Sequence, residues 1–388
     1  MRSRWVMLAV LFAVRATMAF QFQSVAAVAP LLRDNFDIGI AGVGLLIGLY
    51  FTPGIVLALP GGAIGQRIGD KRAVFVGLGL MFAGGLIMTL WTSWSGQLAG
   101  RLVAGTGGVL LNVQMTKMVA DWFVGREIAT AMAIFVNSWP VGVAISLLLL
   151  PPIGVAAGVN AVYLTVIGLV ACGMLLTTIY QPPPRSTAAR IDGVRLDRGT
   201  LVSVIVAGSI WSLYNIGFAI IFSFGPSMLV ERGWSITQAG AAISTVLWLA
   251  AVSVPLGGWL ADRIGRAESV IVAGCVLSGG LLFAITRIEA VMPCVVALGL
   301  AGGLAAGPIM SLPARSLLPG TRAIGMGVFY TVFYLGMMMG PMLAGAYSRA
   351  AGTAAAAFDF GGAVALLCPA LLWLFQRIAL TRRLPQPV

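Results

Sequence analysis

Histidine is absent from this 388-residue chain, and carboxylates are few: 12 Asp and Glu against 24 Lys and Arg. Only 9% of residues are charged, which is far too little to cover the surface of a soluble domain of this length. With no histidine and only four cysteines, Cys172, Cys275, Cys294 and Cys368, set far apart in apolar runs and without a CxxC pair, an ordinary metal centre is not expected. The cysteines read as small buried hydrophobes. The sequence also lacks a phosphate-binding loop: the run from Gly105 to Gly108 has no preceding strand and no Lys-Ser/Thr pair, so no nucleotide site and no cofactor are expected.

Apolar residues fill the space that charge leaves. They make up 59% of the chain, and stretch after stretch reaches the ~20 residues that span a bilayer. The start, Arg2-Ser3-Arg4-Trp5 and then Val6 to Val14, imitates a secretory signal, but the run resumes past Arg15 to Leu32, too long for one. Twelve spans are expected, among them 5–31, 41–65, 127–150, 157–180, 291–316 and 355–380. The longest polar stretch, Gln181 to Thr200, falls mid-chain. It divides an N-terminal six-helix bundle (1–180) from a C-terminal one (201–388), with 181–200 as a cytoplasmic linker.

The net charge of +12 would suit nucleic acid in a soluble protein, but here the basic residues cluster in short loops between spans. With both termini in the cytoplasm, 18 Lys and Arg lie on the inner side, from Arg2 and Arg4 to Arg382 and Arg383, against Arg33, Arg232, Arg287 and Arg349 outside. That is the bias of a multi-pass inner-membrane protein. Arg15 and Arg101 alone sit inside spans.

An internal repeat supports the division. Gly61-Gly-Ala-Ile-Gly-Gln-Arg-Ile-Gly-Asp follows the second span, and Gly257-Gly-Trp-Leu-Ala-Asp-Arg-Ile-Gly-Arg follows the eighth, at an offset of 196 residues, about half the chain. Parallel halves of this kind bind their solute between them near the midplane.

These motifs resemble the major facilitator superfamily. The segment from Gly257 to Arg266 is similar to its GxLxDRxGRR loop, Arg101 to Gly107 to its RxxxGxG motif, and Gly336 to Gly345, with Gly340-Pro341, to its GP-type packing motif. The run Gly48 to Gly54 before Leu59-Pro60, and Asp121-Trp122-Phe123 with Arg126-Glu127, resemble the branch that includes cyanate and nitroimidazole transporters. The resemblance implies an all-α membrane protein of twelve transmembrane helices in two pseudo-symmetric six-helix bundles, the major facilitator fold. It also implies a transporter rather than an enzyme, working by alternating access on a small solute, as a monomer in the bilayer.

Arg15 is the leading site candidate. It sits roughly ten residues, ~15 Å, into the first span, where a charge costs at least about 2.5 kcal/mol and needs a cavity or a partner. One reading is an anion site, with the guanidinium forking onto a carboxylate or similar oxyanion. The other is structural, with Arg15 bonded to carbonyls of a neighbouring helix. All twelve carboxylates lie in loops or near span ends, so proton symport through a buried acid is disfavoured. Gln23, Asn112, Tyr214, Asn215, Tyr330 and Tyr334 are further candidates to line the site, alongside Gln21, Tyr50, Asn137, Trp139 and Trp248. The repeat aligns Arg15 with Trp211, so the charge is one-sided.

Arg101 carries either a coupling role or that of a polar anchor. Asp121, Arg126, Asp262, Arg263, Arg67 and Gln66 are gating candidates: Asp262 could latch onto the start of the fifth span, while Gln66 stands where the family has Asp. Three readings remain open: a secondary active or facilitative carrier of a small organic or inorganic anion, an efflux carrier for neutral or amphipathic compounds, and a membrane receptor.

Overall fold

A computed structural model describes residues 4–58, 60, 64–65, 68–123, 128–182, 196–317 and 322–380. Among them there is no strand. The helices are α1 (Arg4–Ala27), α2 (Ala29–Phe36), α3 (Ile40–Leu49), α4 (Thr52–Leu57), α5 (Asp70–Leu90), α6 (Trp94–Phe123), α7 (Ile128–Ile179), α8 (Arg198–Glu231), α9 (Ile236–Ile264), α10 (Ala267–Ile285), α11 (Val291–Gly302), α12 (Ala306–Ser311), α13 (Arg322–Ala351), α14 (Ala355–Leu366) and α15 (Cys368–Leu380).

Ten helical stretches among the described residues are long and apolar enough to cross a membrane. The stretch Ile134–Ile179 has 46 residues, roughly 69 Å at the α-helical rise, or about two bilayer crossings. It lies in α7, which breaks at Gly158. There φ is 80°, a conformation that glycine adopts without the clash a β-carbon would bring. The 30-residue α6 falls outside the ten and carries Arg101, Lys117 and Asp121.

Four expected spans are interrupted, each shortly before a proline. α1 gives way to α2 at Val28, before Pro30, and α3 to α4 at Tyr50–Phe51, before Pro53. α11 gives way to α12 across Gly303–Ala305, before Pro308, and α14 to α15 at Leu367, before Pro369. A proline ring has no N–H for the carbonyl four residues back and collides with it. The 291–316 span also ends in a 3-10 turn, Leu312–Arg315.

One end of the bundle is basic, with Arg4, Lys71, Arg72, Lys117, Arg198, Arg263 and Arg377 near helix ends. At the opposite end Arg33 lies 4.0 Å from Glu231, and Glu231 accepts from the Thr353 hydroxyl and the Ala354 N–H. Cross-half contacts descend from that end. A β-carbon at Gly44 would overlap the Pro341 carbonyl oxygen and come 3.2 Å from Gly345 Cα, so α3 and α13 touch backbone to backbone. Gly48 meets the Met338 carbonyl and Gly240 the Leu147 carbonyl in the same way. Such approaches are what small residues allow where no solvent drives helices together.

Hydrogen bonds follow the same levels. Gln23 Nε2 donates to the Phe222 carbonyl (2.6 Å), Ser244 Oγ to Ala144 (3.0 Å) and Asn137 Nδ2 to Ala251 (3.3 Å). Among the described residues, no hydrogen bond or ion pair joins the halves nearer the basic end than Asn112 and Asn137. The buried apolar side chains agree. One cluster runs through both halves, whereas Val204, Ile210, Ile309, Leu312, Phe329 and Phe375 belong to a separate cluster toward the basic end of the C-terminal half. Among the described residues, the halves are thus fastened at one end and at mid-depth.

Gly44→Val should pry α3 from α13 and lower stability by about 1–3 kcal/mol. Gly79→Val, where a β-carbon meets nothing within 4 Å, serves as control. The readout is the thermal unfolding midpoint in detergent; equal midpoints for the two variants would refute the close contact.

Candidate functional site

Arg15 projects from the middle of α1 into a ring of acceptors. Its Nε donates to Asn112 Oδ1 on α6 at 3.0 Å. Its Nη1 donates at 3.1 Å to the carbonyls of Phe135 and Val136 and to Ser138 Oγ, all on α7. The local sequence explains why α7 offers these oxygens. Pro140 lies inside α7, so the Val136 carbonyl four residues earlier has no helical N–H to accept from, and Arg15 occupies it. The guanidinium carbon also lies 4.8 Å from the centroid of the Phe135 ring, a cation–π distance.

The network crosses the halves. Asn112 Nδ2 donates to the Tyr334 hydroxyl on α13 at 3.1 Å. Tyr330, one turn before Tyr334, and Tyr334 itself both lie within electrostatic reach of Arg15. Nη2 of Arg15 has no hydrogen-bond partner among the described residues, so one edge of the guanidinium stays available.

Aromatic rings continue from this point. Phe51 lies 6.2 Å from Tyr334, 6.5 Å from Phe333 and 6.3 Å from Trp139. Phe333 lies 6.2 Å from Trp211, which stacks on Tyr214 at 5.7 Å. The position that the repeat aligns with Arg15 is therefore part of an aromatic wall.

Arg15, Asn112, Tyr330 and Tyr334 come together, while three other candidates lie elsewhere. Gln23 is fully buried at the α1–α8 contact, with its Oε1 unpartnered among the described residues. Tyr214 donates to the Gly302 carbonyl and so ties α8 to α11. Asn215 bonds back to Trp211 O in its own helix at 2.7 Å. Sequence reasoning missed Ser138, Phe135 and the Val136 carbonyl. The available signal was Pro140, whose missing N–H marks an acceptor four residues earlier.

Arg101 is fully buried and differently engaged. Its Nε donates to Leu46 O (3.0 Å), its Nη1 to Gln21 O (3.1 Å) and its Nη2 to Phe22 O, so α6 is pinned to α1 and α3. The Tyr50 ring lies 4.7 Å from its guanidinium carbon. All three nitrogens end on backbone carbonyls within the N-terminal half, the geometry of an anchor.

At the basic end, Lys117 Nζ lies 2.6 Å from Asp70 Oδ2 and 3.3 Å from Asp121 Oδ2. Lys71 Nζ donates to the Thr178 and Tyr180 carbonyls, both at 2.8 Å. Asp70, Lys71, Lys117, Asp121 and Tyr180 edge a cavity of about 610 Å³. Asp121 is thus paired within the N-terminal half. Arg263 rests over the ring of Trp259, 5.0 Å from its centroid. Gln66, Arg67 and Arg126 lie outside the described residues, as does the side chain of Asp262.

A bundle with ten helical stretches among the described residues long and apolar enough to cross a bilayer has the architecture of a multi-pass membrane protein. The sequence description of the Major Facilitator Superfamily matches residues 11–214 and again 200–387. The chain belongs to the Major Facilitator Superfamily. It is 23% identical to the "Hexuronate transporter" of Bacillus subtilis (strain 168) over 66% of this chain, and spans 65% of that relative's length. It is 25% identical to the "Inner membrane transport protein YajR" of Escherichia coli (strain K12), over 78% of this chain and 68% of the relative. To the "D-galactonate transporter" of Escherichia coli O6:H1 it is 24% identical, over 94% of each.

Arg101→Gln should strip donors from three buried carbonyls and cost at least about 2 kcal/mol. Arg101→Lys should recover only part, because an ammonium lacks the planar fork. Thermal unfolding in detergent reads both, and wild-type midpoints in the two variants would rule out the anchor.

Proposed function

We propose that the protein carries a small organic anion across the inner membrane by alternating access, with Arg15 as the anion's anchor. The observation behind this reading is the free Nη2 edge of Arg15 at a hydrogen-bonded junction of the two halves. A cation at this depth is costly unless it serves a partner, and the described carboxylates stand near helix ends, so none neutralises it from within. Relatives named for hexuronate and D-galactonate, both carboxylates at neutral pH, support a negatively charged solute.

The frame for this cycle is twelve spans, 1–180 and 201–388 forming the two bundles. The count rests on taking α7 as two crossings at Gly158 and on including α6. The excess of basic residues at the end holding Arg4 and Arg377 supports cytoplasmic termini. Fastening at the opposite end then supports reading the protein as a carrier closed outward. Without a mid-membrane carboxylate or histidine, facilitated movement, anion exchange, or symport of an already protonated solute fits better than a proton relay through the protein. Asp262, in the loop signature at the end of α9, is assigned to the inner latch on the strength of the motif.

The aromatic wall of Phe51, Trp139, Trp211 and Phe333 favours one other reading, export of neutral or amphipathic compounds. Arg15→Gln separates the two. In proteoliposomes, anion flux should fall at least tenfold, equivalent to ~1.4 kcal/mol, while Arg15→Lys should retain part of it. Anion flux unchanged in Arg15→Gln, or apolar export of wild-type rate alone, would remove the anion assignment.

A further inference from the structure

The acceptors around Arg15 are taken by Arg15 itself. The Phe135 and Val136 carbonyls, Ser138 Oγ and Asn112 Oδ1 all receive its N–H groups. Ser138 gives its own proton to Phe135 O at 2.6 Å, and Asn112 gives one of its own to Tyr334. What remains are Nη2 of Arg15 and the Tyr334 hydroxyl proton, neither donated to a partner among the described residues, with Tyr330 one helical turn away from Tyr334 on the same face. The free guanidinium edge and the tyrosine hydroxyl protons suit a carboxylate, which only accepts.

Beyond the donors the surroundings are rings. Phe51, Phe333, Trp139 and Trp211 are linked at centroid distances of 6.2–6.5 Å. Their faces offer a flat, polarisable surface to another ring, but no acceptors for a row of hydroxyls. A solute hydroxyl left unpaired against them would forfeit its bonds to water. A single available guanidinium edge also matches one negative charge, since a second carboxylate would sit against these rings uncompensated.

We infer that this carrier's solute is a monocarboxylate with a planar, aromatic body, and not a polyhydroxylated sugar acid of the kind its relatives are named for. The inference rests on the proposed anion site at Arg15 and narrows it. The carboxylate meets Arg15 Nη2 and the two tyrosine hydroxyls, and the ring lies among Phe51, Phe333 and Trp139. Phe333 and Phe51 thereby become specificity residues that bear on the body of the solute and not on its charge.

The test is equilibrium binding to the purified full-length protein in detergent, with benzoate, D-galactonate and D-galacturonate as probes. Benzoate should bind at least tenfold more tightly than either sugar acid. Arg15→Gln should abolish benzoate binding. Phe333→Leu and Phe51→Leu, which keep apolar volume and lose the ring, should each weaken benzoate several-fold while the unfolding midpoint stays near wild type. Sugar-acid binding as tight as benzoate or tighter, and lost in Arg15→Gln, would overturn the aromatic class and leave the anion site standing. Benzoate binding indifferent to both phenylalanine variants would likewise overturn it. Binding of all three probes that persists in Arg15→Gln, or binding of none, would overturn the anion site and the inference with it.

Discussion

A guanidinium in hydrocarbon must be surrounded by acceptors, and this chain meets that demand twice in different ways. Arg101 directs all three nitrogens at backbone carbonyls of α1 and α3 and is sealed under Tyr50. Arg15 reaches acceptors on α6 and α7 through two nitrogens and keeps the third. The first holds a bundle together. The second leaves one nitrogen unbonded among the described residues, next to the contact of Asn112 with Tyr334. The contrast turns on a proline, because Pro140 frees the Val136 carbonyl and so lets α7 receive a charge where a regular helix would offer fewer free oxygens.

Glycine and proline set the geometry in which that position sits. Backbone contact at Gly44, Gly48 and Gly240 draws the two halves together at one end, while the interruption at Tyr50–Phe51 turns Phe51 toward Trp139 and Phe333. The aromatic side chains fill the middle. They leave the basic end of the C-terminal half with its own apolar cluster.

Much of this was legible in the sequence. Apolar runs, basic loops and the repeat at 61 and 257 predicted an α-helical membrane protein of this family, and Arg15 stood out as a charge without a local partner. Of the two readings weighed for Arg15, the structural one matches its bonds to carbonyls of a neighbouring helix, while the anion reading is the proposal made above from its free edge. Pairing across 97 to 222 residues, as in Arg15–Asn112–Tyr334, is set by how helices rotate against one another, and periodicity in an all-apolar span carries little information on rotation. For that reason Gln23, Tyr214 and Asn215 looked equivalent to Asn112 and proved to serve contacts of their own. The interrupted spans were hidden for a different reason: hydropathy sees composition, while the breaks come from single missing N–H groups.

The mismatch between Arg15 and Trp211 has a mechanical side. In the two-bundle carrier proposed above, the charge and its hydrogen-bonded acceptors on α6 and α7 belong to the N-terminal half of the chain, and the C-terminal half meets them with tyrosine hydroxyls and rings. A solute gripped through Arg15 would be a passenger of the N-terminal bundle in both access states. The C-terminal bundle would slide across its body as a shutter does across an aperture, so the two halves, alike in fold, would divide the labour of holding and uncovering.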